Sequence, residues 1–567
     1  QHDATAPRAA DAPTPPAPVC WLSTQLVNED VLEDALADAD VPTLRALKGV
    51  SLAWRARARR VLCARLCARV GLPLTSNLVE VTELDLSDSR AAGRLIADAV
   101  DASRWLPNLA KVTGLGGFEV DVAALRSVAS SDGSEEDEDG PQPYPMAGVR
   151  ACIRGEGEAP MEVLLAACVL RRGEARVPPS AFFEDRSITS IALPAGLTSV
   201  GEFAFWGCSS LTSIELPAGL TSLGEDAFSG CSSMTSIELP AGLTSLAERA
   251  FYGCSSLTSI ELPAGLTILG RGAFVDCSSL TSIELPAGLS SLGECAFAGC
   301  SSLTSIKLPA GLTSLGEVAF CGCSSMTSIA LPTGLTSIDE DAFYYCSSLT
   351  SIELPAGLTS IGHGAFRDCS SLTSIKLPAG LTSLGKEAFT GCSSITSIAL
   401  PAGLTSIGEG AFKDCSSLTS IELPTGLTSL GKEAFYGCSS MSSIELPAGL
   451  TSLGRYAFYR CSSMTSIELP AGLTSLGERA FYGCSSMSSI ELPAGLTSLG
   501  RYAFYRCSSM TSIELPAGLT SLGEGAFSGC SSLTSIALPD GFDESILRFA
   551  QVPPSAILRF GPAVDVD

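Results

Sequence analysis

The sequence predicts an α+β repeat protein, a solenoid of 23-residue coils preceded by a small helical module. Three observations predict this fold class. Cysteine recurs every 23 residues from Cys208 to Cys530, and Asp185 holds the same register one copy earlier. The unit between cysteines keeps Leu, Ile and an Ala-Phe pair at fixed offsets. Upstream of about residue 176, apolar residues follow helical and mixed patterns instead.

The copy that starts at Cys231 shows how one coil is built. Met234, Ile237 and Leu239 take the spacing of an inward-facing strand, and Glu238 points outward. Pro240 removes a backbone donor, so the strand ends there. Because a single coil cannot bury its own apolar faces, we expect neighbouring coils to stack and to pair their strands.

The composition along the chain divides it into seven segments. Proline and alanine dominate the start, acidic residues separate the upstream part from the repeats, and half-repeats flank the array. The predicted segments are a disordered tail (1–19), a helical module (20–70), a mixed segment with an irregular repeat (71–128), an acidic linker (129–148), a helical segment and N-terminal cap (149–184), the solenoid (185–552) and a C-terminal cap and tail (553–567).

Composition excludes several functions. A net charge of −25 argues against nucleic acid as the partner, since phosphates require clustered Lys and Arg. The only histidines are His2 and His363, so no histidine-based catalytic triad or metal site can form. No apolar run is long enough to span a membrane. We therefore expect a protein that is not an enzyme, holds no cofactor or metal and binds a protein partner.

The repeat unit resembles the BspA-like, or Treponema pallidum-type, leucine-rich repeat. That family's pattern is Leu-x-x-Ile-x-Leu-Pro-x-x-Leu-x-x-Ile-Gly-x-x-Ala-Phe-x-x-Cys. The matching residues in one copy are Leu257, Ile260, Leu262, Pro263, Gly270, Ala273, Phe274 and Cys277. The resemblance implies a leucine-rich-repeat solenoid and a protein-binding scaffold, with a cell-surface adhesin as one form of that function.

A second resemblance lies in the upstream helical module. Its apolar first helix, its turn and a second helix that ends in Trp before basic residues are similar to an F-box. The resemblance implies docking to a Skp1-type adaptor, so that the chain would be a substrate adaptor of a ubiquitin ligase. The alternative is a helical cap or spacer. The residues that would dock are Leu26, Val31, Leu32, Leu44, Leu47 and Trp54.

An outward column of glutamates is the first candidate partner-binding surface. Stacked strands place equivalent residues about 4.8 Å apart, so these carboxylates repel one another, and a basic partner would relieve the repulsion. The alternative is a solvated strip that prevents edge aggregation. The candidate residues are Glu422, Glu445, Glu468, Glu491 and Glu514.

Tyrosines form the second candidate surface. They gather at variable positions of neighbouring coils, and tyrosine is a frequent interface anchor. The alternative is that local duplication multiplied them, since Ala434–Glu478 recurs unchanged at Ala480–Glu524. The candidate residues are Tyr436, Tyr459, Tyr482 and Tyr505.

The cysteine column predicts a ladder of buried free thiols. Side chains in register point the same way, which does not suit a disulfide, and free Cys commonly behaves as a small apolar residue. Cys295 and Cys321 lie off the column and are candidate reactive thiols. Reduced cysteines favour the cytoplasm or nucleus, while an extracellular or surface location stays open.

Overall fold

The structure of the chain is a computed structural model. The residues it describes are 83–86, 95–96, 99, 102–103, 109–113, 115, 118–128, 144–155, 160–540 and 542–560. The predicted disordered tail, the F-box-like module and residues 129–143 of the predicted acidic linker lie outside these residues and stay predictions.

A small four-stranded sheet precedes the repeats. Its strands, paired in this order, are β1 (Glu83–Asp85), β2 (Lys111–Thr113), β3 (Glu119–Asp121) and β4 (Ile153–Arg154). β1 and β2 run parallel, whereas β3 runs antiparallel to both β2 and β4. Of these strands the sequence predicts only the first, from Leu84-Asp85-Leu86 in the irregular repeat. The others are missed because strands of two or three residues carry little periodicity of their own.

Beside this sheet, the helices whose full extent lies within the described ranges are α1 (Val122–Ser127), α2 (Met146–Ala151) and α3 (Met161–Arg172). The side chain of Asp121 caps α1 by accepting a hydrogen bond of 2.9 Å from the backbone N–H of Ala124. α3 ends at Gly173, whose φ of 72° is left-handed. α2 begins inside the predicted linker, since Tyr144 and Met146 are already buried there.

From Arg176 onwards the chain is a parallel solenoid of 23-residue coils, as the sequence predicts. One side of each coil, the strand face, carries a Ser-Ile-x strand. These strands are Ser190–Ala192, Ser213–Glu215, Ser328–Ala330, Ser351–Glu353, Ser374–Lys376, Ser397–Ala399, Ser420–Glu422, Ser512–Glu514 and Ser535–Leu538. Single bridges continue the face in the other coils, such as Glu238 with Glu261.

A second side of the coils carries a shorter strand, which a single bridge between Ser291 and Ser314 replaces in two coils. These strands are Arg176–Val177, Ser199–Val200, Ser222–Leu223, Ser245–Leu246, Ile268–Leu269, Ser337–Ile338, Ser360–Ile361, Ser383–Leu384, Ser406–Ile407, Ser429–Leu430, Ser452–Leu453, Ser475–Leu476, Ser498–Leu499 and Ser521–Leu522. The third side, here called the turn face, is the run of turns around each Ala-Phe pair, such as residues 248–253.

The register between coils places every residue beside its equivalent in the next coil. Ile352 pairs with Ile375, and Glu353 pairs with Lys376. On the turn face, the N–H of Phe228 donates to the carbonyl of Ala250 at 2.9 Å. Because backbone bonds join the coils on all three sides, each side chain becomes a rung in a column along the solenoid.

Columns of Leu, Ile, Ala, Phe and Cys fill the core. The phenylalanines from Phe182 to Phe527 are stacked, with ring centroids of neighbouring coils 5.0 to 6.0 Å apart. The cysteine column confirms the predicted ladder: the thiols are free and buried, and Cys369 Sγ donates to Phe343 O at 3.2 Å. Burial raises the pKa of Cys369 to about 12, so its thiol stays neutral.

The last coil is covered by the residues that follow it. A 3₁₀-helix (Glu544–Phe549) continues the turn face, since Phe527 N–H donates to Ala550 O at 3.0 Å. The final strand (Ile557–Phe560) then pairs in parallel with Ser535–Leu538 and extends the strand face. The backbone groups of the last full coil therefore find partners.

Candidate interaction surfaces

The glutamate strip, defined as Glu422, Glu445, Glu468, Glu491 and Glu514, lies on the strand face. Its members are all exposed, because the neighbouring isoleucine of each coil takes the inward position. Parallel bridges pair Glu422 with Glu445, Glu445 with Glu468 and Glu468 with Glu491. The fold thus brings the predicted carboxylates into one column at the spacing of neighbouring strands.

The glutamate strip carries unneutralised charge. None of its five members forms an ion pair with any residue that the structure describes. Neighbouring carboxylates about 5 Å apart repel by about 0.8 kcal/mol in water, and by less in salt. The column is therefore a surface whose electrostatic energy falls when positive charge approaches it.

The turn face differs, because its charges largely neutralise one another. Lys413 Nζ lies 2.9 Å from Glu433 Oε2, and Lys432 lies 2.9 Å from Glu409. Burial alone would raise the pKa of Glu433, but hydrogen bonds from Lys413 and Lys432 bring it below its ordinary value. Arg455 likewise pairs with Glu478 at 2.8 Å.

The four predicted tyrosines form a tyrosine ladder on the turn face. Successive rings from Tyr436 to Tyr505 are stacked, with centroids 4.5 to 4.6 Å apart. Tyr456 and Tyr502 meet the ladder edge-on, with centroids 5.5 and 5.6 Å from Tyr459 and Tyr505. All of these side chains are half-buried, so much of each ring face is covered by the next ring.

Arginines lie over the tyrosine ladder. The guanidinium of Arg460 is 5.4 Å from the ring centroid of Tyr459, and that of Arg506 is 5.3 Å from Tyr505. Both arginines are exposed and form no ion pair within the described part of the chain. The groups that the tyrosine ladder exposes are therefore mainly guanidinium cations, because neighbouring rings cover much of each other's aromatic surface.

A groove of about 720 Å³ on the turn face of the first coils is a feature that the sequence does not predict. Trp206 and Tyr252 line it, together with Asp226, Ser229 and Arg249. In the sequence these residues stand out only as variable positions around the Ala-Phe pairs. The sequence does not reveal the groove, because such positions form columns only when the coils stack.

A family model for BspA-type leucine-rich repeat regions matches the chain over residues 176–300, 267–393, 336–464 and 451–547. Together these matches span about two-thirds of the sequence. The chain belongs to the BspA-type leucine-rich repeat family. The resemblance stated from the repeat unit is confirmed, and the family consists generally of non-catalytic repeat scaffolds.

Solved structures include relatives of this BspA-type protein. A leucine-rich repeat protein from Bacteroides ovatus is 29% identical over 65% of this chain and 91% of its own, with a TM-score of 0.55. A leucine-rich cell surface protein from Faecalibacterium prausnitzii is 26% identical over 64% and 90%, with a TM-score of 0.39. The leucine-rich repeat protein of T. pallidum is 27% identical over 38% and 87%, with a TM-score of 0.28. A search of curated proteins finds no match.

The predicted docking residues for a Skp1-type adaptor, from Leu26 to Trp54, lie outside the described residues, so the adaptor function stays a prediction. Within the described ranges, no helix is both long enough and apolar enough to cross a bilayer.

Proposed function

We propose that this protein is a non-catalytic scaffold that binds a basic protein surface along the glutamate strip. One observation carries the proposal: five exposed carboxylates stand in register on the strand face without a cationic partner among the described residues. Lysine or arginine side chains of a partner would remove repulsion between neighbouring carboxylates as well as forming new ion pairs. The binding strength should therefore depend steeply on salt.

The uniformity of the strip indicates what kind of recognition it supports. A Thr-Ser or Ser-Ser pair precedes the Ile-Glu of each strip coil, and these columns change little from coil to coil. Such a surface offers charge at a regular spacing but few shapes that distinguish one partner from another. We infer that the strip supplies attraction and association rate, and that specificity comes from the more variable turn face.

The experiment compares the wild-type chain with a variant carrying Glu→Gln at all five strip positions. The probe is a fluorescein-labelled ten-residue lysine peptide, followed by fluorescence anisotropy at several salt concentrations. Exposed ion pairs contribute roughly 0.2–1 kcal/mol each, so we expect about a ten-fold or greater loss of affinity and a shallower salt dependence. An unchanged salt dependence in the variant would contradict the proposal.

The matched control removes the same amount of charge from a different surface. It carries Glu→Gln at five exposed turn-face positions, Glu202, Glu225, Glu294, Glu317 and Glu340. Its net charge equals that of the strip variant, so a general attraction of the acidic chain for lysine would weaken equally in both. We expect the control to keep most of the wild-type affinity.

The cellular compartment is a separate proposal. We infer the cytoplasm or nucleus from the column of free thiols, because reducing compartments preserve free cysteine. Antibody labelling of the full chain in intact and permeabilised cells tests it. Labelling of intact cells would instead favour the surface location that the family resemblance implies.

A further inference from the structure

The turn face of the coils that carry the tyrosine ladder is locally basic, although the chain as a whole has a net charge of −25. Between residues 455 and 506 this face carries five arginines and only one glutamate. These residues are Arg455, Arg460, Glu478, Arg479, Arg501 and Arg506. A protein that is acidic overall therefore presents a cluster of positive charge on one side of a few neighbouring coils.

Three of these arginines are already paired with carboxylates of the chain. Arg455 lies 2.8 Å from Glu478, and Arg479 lies 3.4 Å from the other oxygen of the same carboxylate. Arg501 lies 2.6 Å from Glu524 in the next coil. The two arginines that remain on this face are therefore the ones that can take up an external anion.

Arg460 and Arg506 are exposed, and neither forms an ion pair with a residue that the structure describes. Their guanidinium groups lie 5.4 and 5.3 Å from the ring centroids of Tyr459 and Tyr505. An added Cβ at Gly483 would lie 3.4 Å from Arg460 Cγ, so the stem of this arginine lies across the next coil. Because these contacts already restrict the side chains, less conformational entropy is lost when an anion binds.

The fold also sets the distance between these two arginines. They occupy equivalent positions two coils apart, and Gly483 adds no side chain in the coil between them. In that coil the ring of Tyr482 stacks on both neighbouring tyrosines, at centroid distances of 4.6 and 4.5 Å. The two guanidinium groups are therefore roughly 9–10 Å apart, which is twice the spacing of neighbouring strands.

A short acidic peptide can match this distance. A polyproline II helix has three residues per turn and rises about 3.1 Å per residue, so acidic residues three apart lie on one side, about 9 Å from each other. Each carboxylate can accept two parallel hydrogen bonds from one guanidinium. A long polyanion fits less well, because its further phosphates would approach Glu478 and the exposed Asp414, two coils before Arg460 in the same column.

We propose that Arg460 and Arg506 together bind an acidic segment of a partner protein. The segment adopts a polyproline II conformation and carries carboxylates three residues apart, one for each guanidinium. This surface lies on a different side of the coils from the glutamate strip, and it takes a partner of opposite charge. The inference therefore goes beyond the function proposed for the strip and does not depend on it.

The test titrates the full chain with a trifluoroacetylated peptide amide, (Glu-Pro-Pro)3, observed by fluorine NMR at low salt. We expect Arg460→Gln combined with Arg506→Gln to weaken the peptide by about five-fold or more, since two charge-assisted contacts are lost. The matched control combines Arg186→Gln with Arg559→Gln, which removes two exposed arginines outside the cluster and gives the same net charge. It should keep the affinity within about two-fold of wild type. Unchanged affinity in the first variant, or an equal loss in both, overturns the proposal.

A conservative variant keeps the test decisive if the glutamine variant does not fold. Arg460→Lys combined with Arg506→Lys keeps the charge but loses the planar fork, so it should weaken the peptide by about two-fold or more. A peptide of the same composition with its three glutamates adjacent should bind the wild type several-fold more weakly. Equal binding of the two peptides, or tighter binding of a nine-residue oligothymidylate, would refute the proposal.

Failure here can be distinguished from failure of the proposed function. The glutamate-strip variant should bind the acidic peptide at least as tightly as the wild type does. The two arginine variants should in turn retain the affinity for the lysine peptide.

Discussion

Each coil of the solenoid contains two residues with left-handed backbones, and side-chain identity at these residues decides local strain. One of the two precedes the Ala-Phe pair, where Gly272, Gly364 and Gly410 have φ between 56° and 63°. Glycine adopts this conformation without strain, whereas a β-branched residue is a clear outlier there. Val318 nevertheless occupies the same position with a φ of 60°.

We predict that Val318→Gly stabilises the protein by roughly 1 kcal/mol. Glycine removes backbone strain of about 1–2 kcal/mol. Part of this stabilisation is lost, because glycine also raises the conformational entropy of the unfolded chain. The midpoint of urea unfolding, followed by circular dichroism, measures the change. Gly410→Val makes the reverse substitution at the same position of another coil and should lower the midpoint. A lower midpoint for Val318→Gly would show that apolar contacts of Val318 outweigh its strain.

Contacts between neighbouring coils constrain the second left-handed residue of each coil, which lies directly before the cysteine position. A side chain there leans over the equivalent residue of the following coil. An added Cβ at Gly391 would lie 2.1 Å from Asp368 Oδ1, and one at Gly437 would lie 2.2 Å from Asp414 Oδ1. Between Asp368 and Gly529 this column alternates strictly between a larger residue and glycine. The alternation follows from coil packing and has no counterpart within a single coil.

We predict that Gly391→Ala destabilises the protein, and that removing the side chain of Asp368 relieves part of the loss. The methyl group meets the Asp368 carboxylate and adopts a left-handed backbone, so we expect a loss of about 1–3 kcal/mol. A double-mutant cycle with Asp368→Gly separates two contributions to the loss of stability: the contact between the methyl group and the carboxylate, and the left-handed backbone conformation. Strict additivity of the two substitutions would mean that the carboxylate simply rotates away.

The sequence predicts those features of the fold that depend on periodicity. The 23-residue spacing implies in-register coils, and therefore the columns of Phe, Cys and Glu. It does not predict β2, β3 and β4, because pairing of Glu119 with Arg154 joins short segments far apart in the chain. The groove lined by Trp206 and Tyr252 is also missed, because only the stacking of the coils brings variable positions of separate coils together.

For the whole molecule, stability is a sum over neighbouring coils rather than the property of one central core. The coils from Cys208 to Cys530 bury the same columns of Leu or Met, Ile, Phe and Cys, so removing whole coils should leave the remaining interfaces unchanged. The exact repetition of Ala434–Glu478 at Ala480–Glu524 provides a clean way to test this. Deletion of residues 434–479 removes two coils of 23 residues and joins Glu433 to Ala480, which recreates the natural Glu-Ala junction.

We predict that this deletion variant folds, with circular dichroism per residue close to that of the full chain. The glutamate strip shortens from five members to three, because Glu445 and Glu468 are lost, and the tyrosine ladder loses two rings. Affinity for the lysine peptide should fall, and its salt dependence should become shallower in proportion to the lost carboxylates. A deletion of residues 434–445, about half a coil, breaks the register and should prevent folding of the coils beyond it. Equal tolerance of both deletions would contradict a solenoid held together by matching columns.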